Sequence, residues 1–435
     1  LIYKMSAQYS VNIRSQYYDP NTHVNNKMSE FRLDKDQVYL PNLRIQLGFS
    51  TDTATTAHRL LGFESCIKNI RLLDGAVELD SLRFANRYLS FHNQLGQNQH
   101  KLCVSSALSG GSIGYLLLGT DKVDHIAPTS ATPTAESDVL CAILDLRRVF
   151  PLLKSMDHLD TSVFKQLKIQ IEYESNASKL GLADSTKVAT ISRPVLIADM
   201  VTNPEVAAKM RSSAQKSIIW DVIEHDQMTI ADITTVTTAL ADDVVSHKQS
   251  VTSVINGFDN KYVGKMVVMK CYNDPAIGYI ANAQVGYGAY NSPLYANESL
   301  NIRKNGQFIF PGADGIANNG IRQHMLWQAW GDMVLVPYSA NYGVGRDDFD
   351  AASVNTSGVP GLSTGLKQSH IIGQASYYGF SVEDRCNQLN FTFTRTGFKD
   401  TQTNNPYNVA ADLHIFGECR KQINFNAGQY NISYM

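Results

Sequence analysis

Two stretches of this chain, more than two hundred residues apart, carry the same succession of strands, hairpin and helix, and that repetition limits the possible folds more than any single motif. Leu43-Arg44-Ile45-Gln46-Leu47-Gly48-Phe49 answers to Met266-Val267-Val268-Met269-Lys270-Cys271-Tyr272, and Leu167–Tyr173 answers to Leu389–Arg395, both at a spacing of about 222 residues. The run from Ala189 to Met200 stands at the same distance from the run that starts at Asp412. A chain of 435 residues has room for two or three domains of roughly 150 residues, and each half is long enough to bury a core of its own. The expectation is one β domain present twice, in tandem.

The local signals agree. Leu167, Ile169, Ile171 and Tyr173 alternate with Lys168, Gln170 and Glu172, the period of a half-buried strand. Ile67–Leu73, Asp74-Gly75 and Ala76–Leu79 read as a hairpin, and Leu300–Lys304, Asn305-Gly306 and Gln307–Phe310 read as its counterpart, because Asn-Gly and Asp-Gly tolerate the positive φ angles of a two-residue turn. A helical spacing follows each hairpin, through Leu82, Ala85 and Leu89 in one half and Ile321, Met325, Leu326 and Ala329 in the other. Pro204–Met210 reads as a helix with Pro in its first turn. This organises the chain as an N-terminal arm over residues 1–30, a first β domain over 31–202, a helical linker over 203–216 and a second β domain over 217–435. The Gly/Ser/Thr/Asn-rich stretches Gly119–Ser137, Asn273–Ser299 and Ser339–Gln374 read as long loops.

Composition excludes several classes. The 38 basic and 40 acidic side chains nearly cancel, and only 18% of residues are charged, so there is no electrostatic footprint for nucleic acid. Such a neutral surface suits a protein packed against neighbours. The six cysteines, at 66, 103, 141, 271, 386 and 419, form no Cys-x-x-Cys pair, which argues against zinc and against a dense disulfide framework. No apolar run approaches the roughly 18 residues of a membrane span, and the chain reads as soluble and unsecreted. The Asn-x-Ser/Thr triplets at Asn176, Asn297, Asn355, Asn390 and Asn431 are ordinary for a chain this rich in Asn.

Motifs that carry chemistry fail on context. Gly110-Gly111-Ser112-Ile113-Gly114 has the spacing of a nucleophile elbow, yet Tyr115–Leu118 runs into Gly119 too soon for the helix the elbow needs, and His125 and the Asp157-His158 pair follow no triad order. Glu224-His225-Asp226 lies in a strand pattern, so alternation sends His225 to the face opposite the two carboxylates. Arg346-Asp347-Asp348-Phe349-Asp350 lacks calcium-loop spacing. Trp327 and Trp330 read as helix packing against the second sandwich. No catalytic, cofactor-binding or metal-ligating set is assigned, and no cofactor is expected.

Cys66–Gly75 with the helical Leu82–Phe91, Leu144–Pro151 leading to the Leu167 strand, and Leu413–Phe416 running through Arg420–Gly428 resemble, in pattern and order, the double jelly-roll major capsid proteins of Polinton-like viruses, virophages and nucleocytoplasmic large DNA viruses. The likeness covers most of residues 35–435. It implies an all-β chain of two tandem jelly-roll sandwiches with short helices in loops, and a structural protein without catalysis. In that family three copies form a pseudo-hexameric homotrimeric capsomer that tiles an icosahedral shell around double-stranded DNA. The implied partners are further copies of the chain and minor capsid or penton proteins, with no sequence-specific nucleic-acid contact, and an internal membrane beneath the shell is compatible. The implied location is the virion, assembled inside the host cell. The competing class is a monomeric two-domain β-sandwich that binds carbohydrate or another ligand on an aromatic platform, for which 21 tyrosines provide material.

Overall fold

The computed structural model describes residues 12–51, 64, 66–95, 140–174, 189–191, 193–233, 247–272, 298–310, 315–316, 319–334, 377–397, 410–426 and 429–435. Eight strands form the first half: β1 (Ile13–Tyr18), β2 (Met28–Arg32), β3 (Arg44–Thr51), β4 (Ile67–Asp74), β5 (Val77–Arg83), β6 (Leu140–Asp145), β7 (Leu167–Tyr173) and β8 (Val195–Val201). Eight more form the second: β9 (Ser217–Ile230), β10 (His247–Ile255), β11 (Lys261–Tyr272), β12 (Glu298–Lys304), β13 (Gln307–Phe308), β14 (Tyr377–Cys386), β15 (Leu389–Gly397) and β16 (Ala411–Asn426).

The pairing makes the repeat explicit. In the first half, β1 pairs with β8, β8 with β3 and β3 with β6, while β2 pairs with β7, β7 with β4 and β4 with β5, all antiparallel. In the second half β9-β16-β11-β14 and β10-β15-β12-β13 are bonded in the same order. Each strand of one half therefore has a partner eight places later, and each half is a jelly roll of two four-stranded sheets. Short strands extend the frame: Thr22–Val24 beside β2, Val38–Tyr39 beside β8 with Leu159–Asp160 beyond it, Ala189–Ile191 continuing the line of β8 along β3, and Gln429–Tyr434 folding back on β16.

Side-chain alternation explains the core. Ile169 and Ile171 of β7, Ile70 and Leu72 of β4 and Ile45 of β3 are fully buried between the sheets, as are Phe391, Ile302 and Ile415 in the second roll. Met266, Val267, Val268 and Met269 are all fully buried despite alternation. Helix α4 (Asn319–Val334) lies along the outer side of β14 and reaches β11, where Trp330 Nε1 donates to the Met266 carbonyl at 3.1 Å. The other helices are α1 (Ala85–Leu95), α2 (Pro151–Ser155) and α3 (Pro204–Ser212). Asn203 opens α3, its Oδ1 accepting from Glu205 N at 2.9 Å, with Pro204 in the first turn.

Four details differ from the sequence reading. The arm expected over residues 1–30 contains β1, the short strand Thr22–Val24 and the start of β2: residues 13–18 pair along β8 and 22–24 along β2. β1 is an edge strand with one face in solvent, so it carries few apolar residues and no clear alternation. What holds it is the backbone ladder, the Ser15 hydroxyl on Asp199 at 2.6 Å and the Tyr18–Tyr39 hydroxyl contact at 2.7 Å. The first hairpin turns on Gly75-Ala76, one residue late, because Asp74 stays in the ladder opposite Val77, and φ is positive at Gly75 (+60°), the first loop position of a type II′ turn. The second hairpin turns at Asn305 (φ +51°) and Gly306 (φ +83°) as expected, although its return strand is only Gln307–Phe308. Leu82 belongs to β5, and helix α1 begins at Ala85.

Candidate assembly interface

The two rolls meet head to tail. Helix α1 of the first roll lies against the second: Tyr88 meets Phe416 in a tilted contact at a centroid distance of 5.3 Å, and Phe91 meets Trp330 at 5.1 Å and Tyr377 at 5.0 Å. Phe84, at the end of β5, sits 4.6 Å from His225 and 4.8 Å from His414, whose facing ring nitrogens are 3.0 Å apart. At the edge of β5, Lys421 Nζ donates to the Leu79 carbonyl at 3.0 Å, and at the end of β4 the Tyr430 hydroxyl donates to Asp74 at 2.7 Å. Phe164 packs on Phe425 and Tyr430. Aromatic burial thus joins the two rolls through one continuous core.

Charge inside the junction is held in few arrangements. Burial pushes the Asp80 carboxyl up to about 7, although it accepts from Leu152 N at 2.9 Å and Ser81 N at 2.9 Å and lies near Lys421. Burial pushes His225 down to about 3, helped by the nearby Arg83 and Arg87. It pushes His92 of α1 equally far, to about 3, helped by Arg148, Lys265 and Lys154. Inside the second roll Lys270 and Glu298 form an ion pair at 2.8 Å with both side chains 1% exposed.

The connections have a polarity. β3 ends, β6 begins and the β8 line begins at one end of the first roll, where Phe49 pairs with both Leu140 and Ile191, and the long connections leave there. The other end of the second roll carries tight links, Asn256–Asn260, Asn305-Gly306 and Asn387-Gln388. The three long loops expected from composition lie outside the described residues, apart from Glu298 and Ser299 in β12, as do Ser112, His125, Arg346–Asp350 and the side chain of Trp327.

The other singled-out residues are structural in their contacts. Glu224 accepts from the Tyr434 hydroxyl and pairs with Lys261 at 3.2 Å, Asp226 accepts from Gly257 N at 2.9 Å, and His225 turns to His414 and Phe84. Burial lowers His158, with Asp160 and Asp157 opposing the shift. Trp330 is buried against β11 and Phe91. The sequence reading missed Phe84, Tyr88, Phe91, His414 and Phe416 as an interface. The available signal was the run of aromatic residues 84, 88 and 91, which places Phe84 just before α1 and Tyr88 and Phe91 on it. Among the described residues the two most exposed large aromatics, Tyr17 and Phe308, sit on different rolls and make no shared platform.

No family model matches the sequence, and no curated protein matches it. Solved structures do match in fold. The mavirus major capsid protein is similar over 98% of this chain and 90% of its own, with 12% identity and a TM-score of 0.52. PBCV-1 VP54, as fitted into a cryo-EM reconstruction of the virophage Sputnik, is similar over 97% and 96%, with 11% identity and a TM-score of 0.54. The Faustovirus major capsid protein is similar over 95% and 90%, with 10% identity and a TM-score of 0.51. The sixteen paired strands and these end-to-end likenesses lead to one architecture: the chain has the double jelly-roll fold that these capsid proteins share.

Proposed function

We propose that this chain is a major capsid protein, three copies of which close into a pseudo-hexameric capsomer that tiles an icosahedral shell around double-stranded DNA. The observation that carries the reading is the head-to-tail junction between two rolls of identical strand order. The first roll offers its β5 edge and α1, and the second accepts them on β9, β14 and β16. By the repeat, the equivalents of these two surfaces stand on the outer sides of the pair of rolls. The second roll carries β13 and α4, with Phe308 45% and Ile321 54% exposed, and the first carries β1 and β8, with Tyr17 65% exposed beside its cross-strand partner Ile197. A heterologous contact closes a ring when its rotation divides the circle, and six rolls from three chains need about 60° at each step.

The role is structural, with affinity spread over repeated contacts, and the protein belongs in the virion. Other copies of the chain are its first partners, and minor capsid or penton proteins its second. Light scattering on the purified protein tests this. A particle of three times 48.1 kDa with a hexagonal outline in negative stain is expected, and a folded 48.1 kDa monomer at all concentrations would overturn it.

A further inference from the structure

The two rolls share a topology and differ in the chemistry of one face. Each has a sheet whose outer side takes no part in the junction: β2-β7-β4-β5 in the first roll and β10-β15-β12-β13 in the second. In the first, that side is charged, with Glu30, Arg32, Lys68, Arg71, Lys168 and Glu172 across neighbouring strands, laced by Arg32–Glu30 at 3.0 Å and Lys68–Glu172 at 3.2 Å. In the second, the cross-strand rows read Ser250–Thr394–Ser299, Thr252–Thr392–Asn301 and Val254–Asn390–Arg303. Thr252 and Thr392 share a hydrogen bond at 2.9 Å, and Ser250 and Thr394 one at 3.2 Å. Arg303 is the one charge in these three rows, stacked 4.2 Å over the Phe308 ring, and Lys248 stands one register step beyond them opposite Thr396.

The geometry points to the β10-β15-β12 face as a contact with the same face of a second copy, around a twofold axis between capsomers. A twofold contact needs a surface complementary to itself. Hydroxyls and amides both donate and accept, so a Ser/Thr/Asn face meets its own copy with donors and acceptors to spare. Val254, 49% exposed, adds apolar area to the patch. The first-roll face holds four cations and two carboxylates among the six residues named, so pairing it with itself sets like charges together and strips water from ions. Three strands about 4.8 Å apart and about 20 Å long present roughly 300 Å². A stable interface needs roughly 800 Å² per partner, so this contact is weak singly and gains strength by repetition.

The inference rests on the capsomer reading for that repetition, and the test separates the two. Thr252→Lys and Thr252→Glu variants are purified and followed, alone and mixed in equal amounts, by sedimentation over a wide concentration range. The parent associates beyond the trimer as concentration rises. Each variant alone keeps the trimer mass but associates about tenfold more weakly or worse, and the mixture recovers parental association because opposite charges now face each other. Gln170→Lys on the first-roll face leaves association unchanged. Variants that associate like the parent, a mixture that does not recover, or a parent that never passes the trimer would each overturn the inference. A protein that is monomeric when dilute and pairs to twice 48.1 kDa, with the same charge pattern, would keep the face contact and refute the trimer instead.

Discussion

Acid should loosen the junction by an amount that two histidines set. His225 and His92 are both held near 3 by burial and by neighbouring cations, with no carboxylate among the causes. In the unfolded chain each titrates near 6.5. A folded value below the unfolded one means that only the unfolded state gains the proton, so the stability from the neutral rings is complete above about pH 6.5 and is lost as pH falls toward 3. At pH 5 the unfolded form has gained about 1.5 pK units per ring, or about 2 kcal/mol each and about 4 kcal/mol together. That is a large part of the roughly 5–15 kcal/mol that holds an ordinary domain. The double variant His92→Phe with His225→Gln removes both titrations while Gln keeps a polar atom toward His414. Urea unfolding of parent and variant at pH 7.5 and pH 5 gives two losses, in which the remaining histidines largely cancel. The parent should lose about 4 kcal/mol more than the variant. Equal losses, within about 1 kcal/mol, would show that these rings are not held neutral and would refute the reasoning.

Three further outcomes follow from the packing. Glu298→Gln leaves Lys270 buried beside Arg322 and Arg395 and should cost about 3–5 kcal/mol in thermal or urea unfolding, whereas Lys270→Met leaves Glu298 those same guanidinium groups and should cost about half as much. Gly379→Ala drives a methyl into Leu326, whose Cα is 3.0 Å from the Cβ position, and should lower stability by about 1–3 kcal/mol, read as a fall in the melting midpoint. Ile321→Asp, on the exposed side of α4, should leave a folded chain whose mass falls to 48.1 kDa, because a carboxylate cannot be buried in the proposed contact between copies.

The duplication was legible where each residue serves one roll. Leu167–Tyr173 alternates cleanly because one side of β7 is core and the other solvent, and Asn305-Gly306 marks its turn because two positive φ angles are required there. Legibility failed where a strand answers to something beyond its own sheet. Ile13–Tyr18 is a strand fixed by backbone pairing with β8, and pairing leaves no side-chain period. The opposite failure occurs at Tyr377–Phe380, where all four residues are buried because α4 and Phe91 cover the side that solvent would otherwise hold. The junction was hidden for a related reason. His414 and Phe416 point away from the core of their own roll, toward α1 and the end of β5, and a single-sequence pattern has no way to express a partner more than three hundred residues upstream.

That separation along the chain also sets an order in time. The first roll has all its strands once Val201 has been made, but the residues that cover its aromatic ridge come much later: Phe91 waits for Trp330 and Tyr377, and Tyr88 for Phe416. At roughly 5–20 residues per second, the stretch of about 215 residues from Val201 to Phe416 takes on the order of 10–45 s to synthesise. Throughout that interval each nascent chain presents a bare apolar ridge beside the ridges of its neighbours on the same message. The growing protein is therefore stickiest when half made, and its yield depends on how well that ridge is shielded until the last strand arrives.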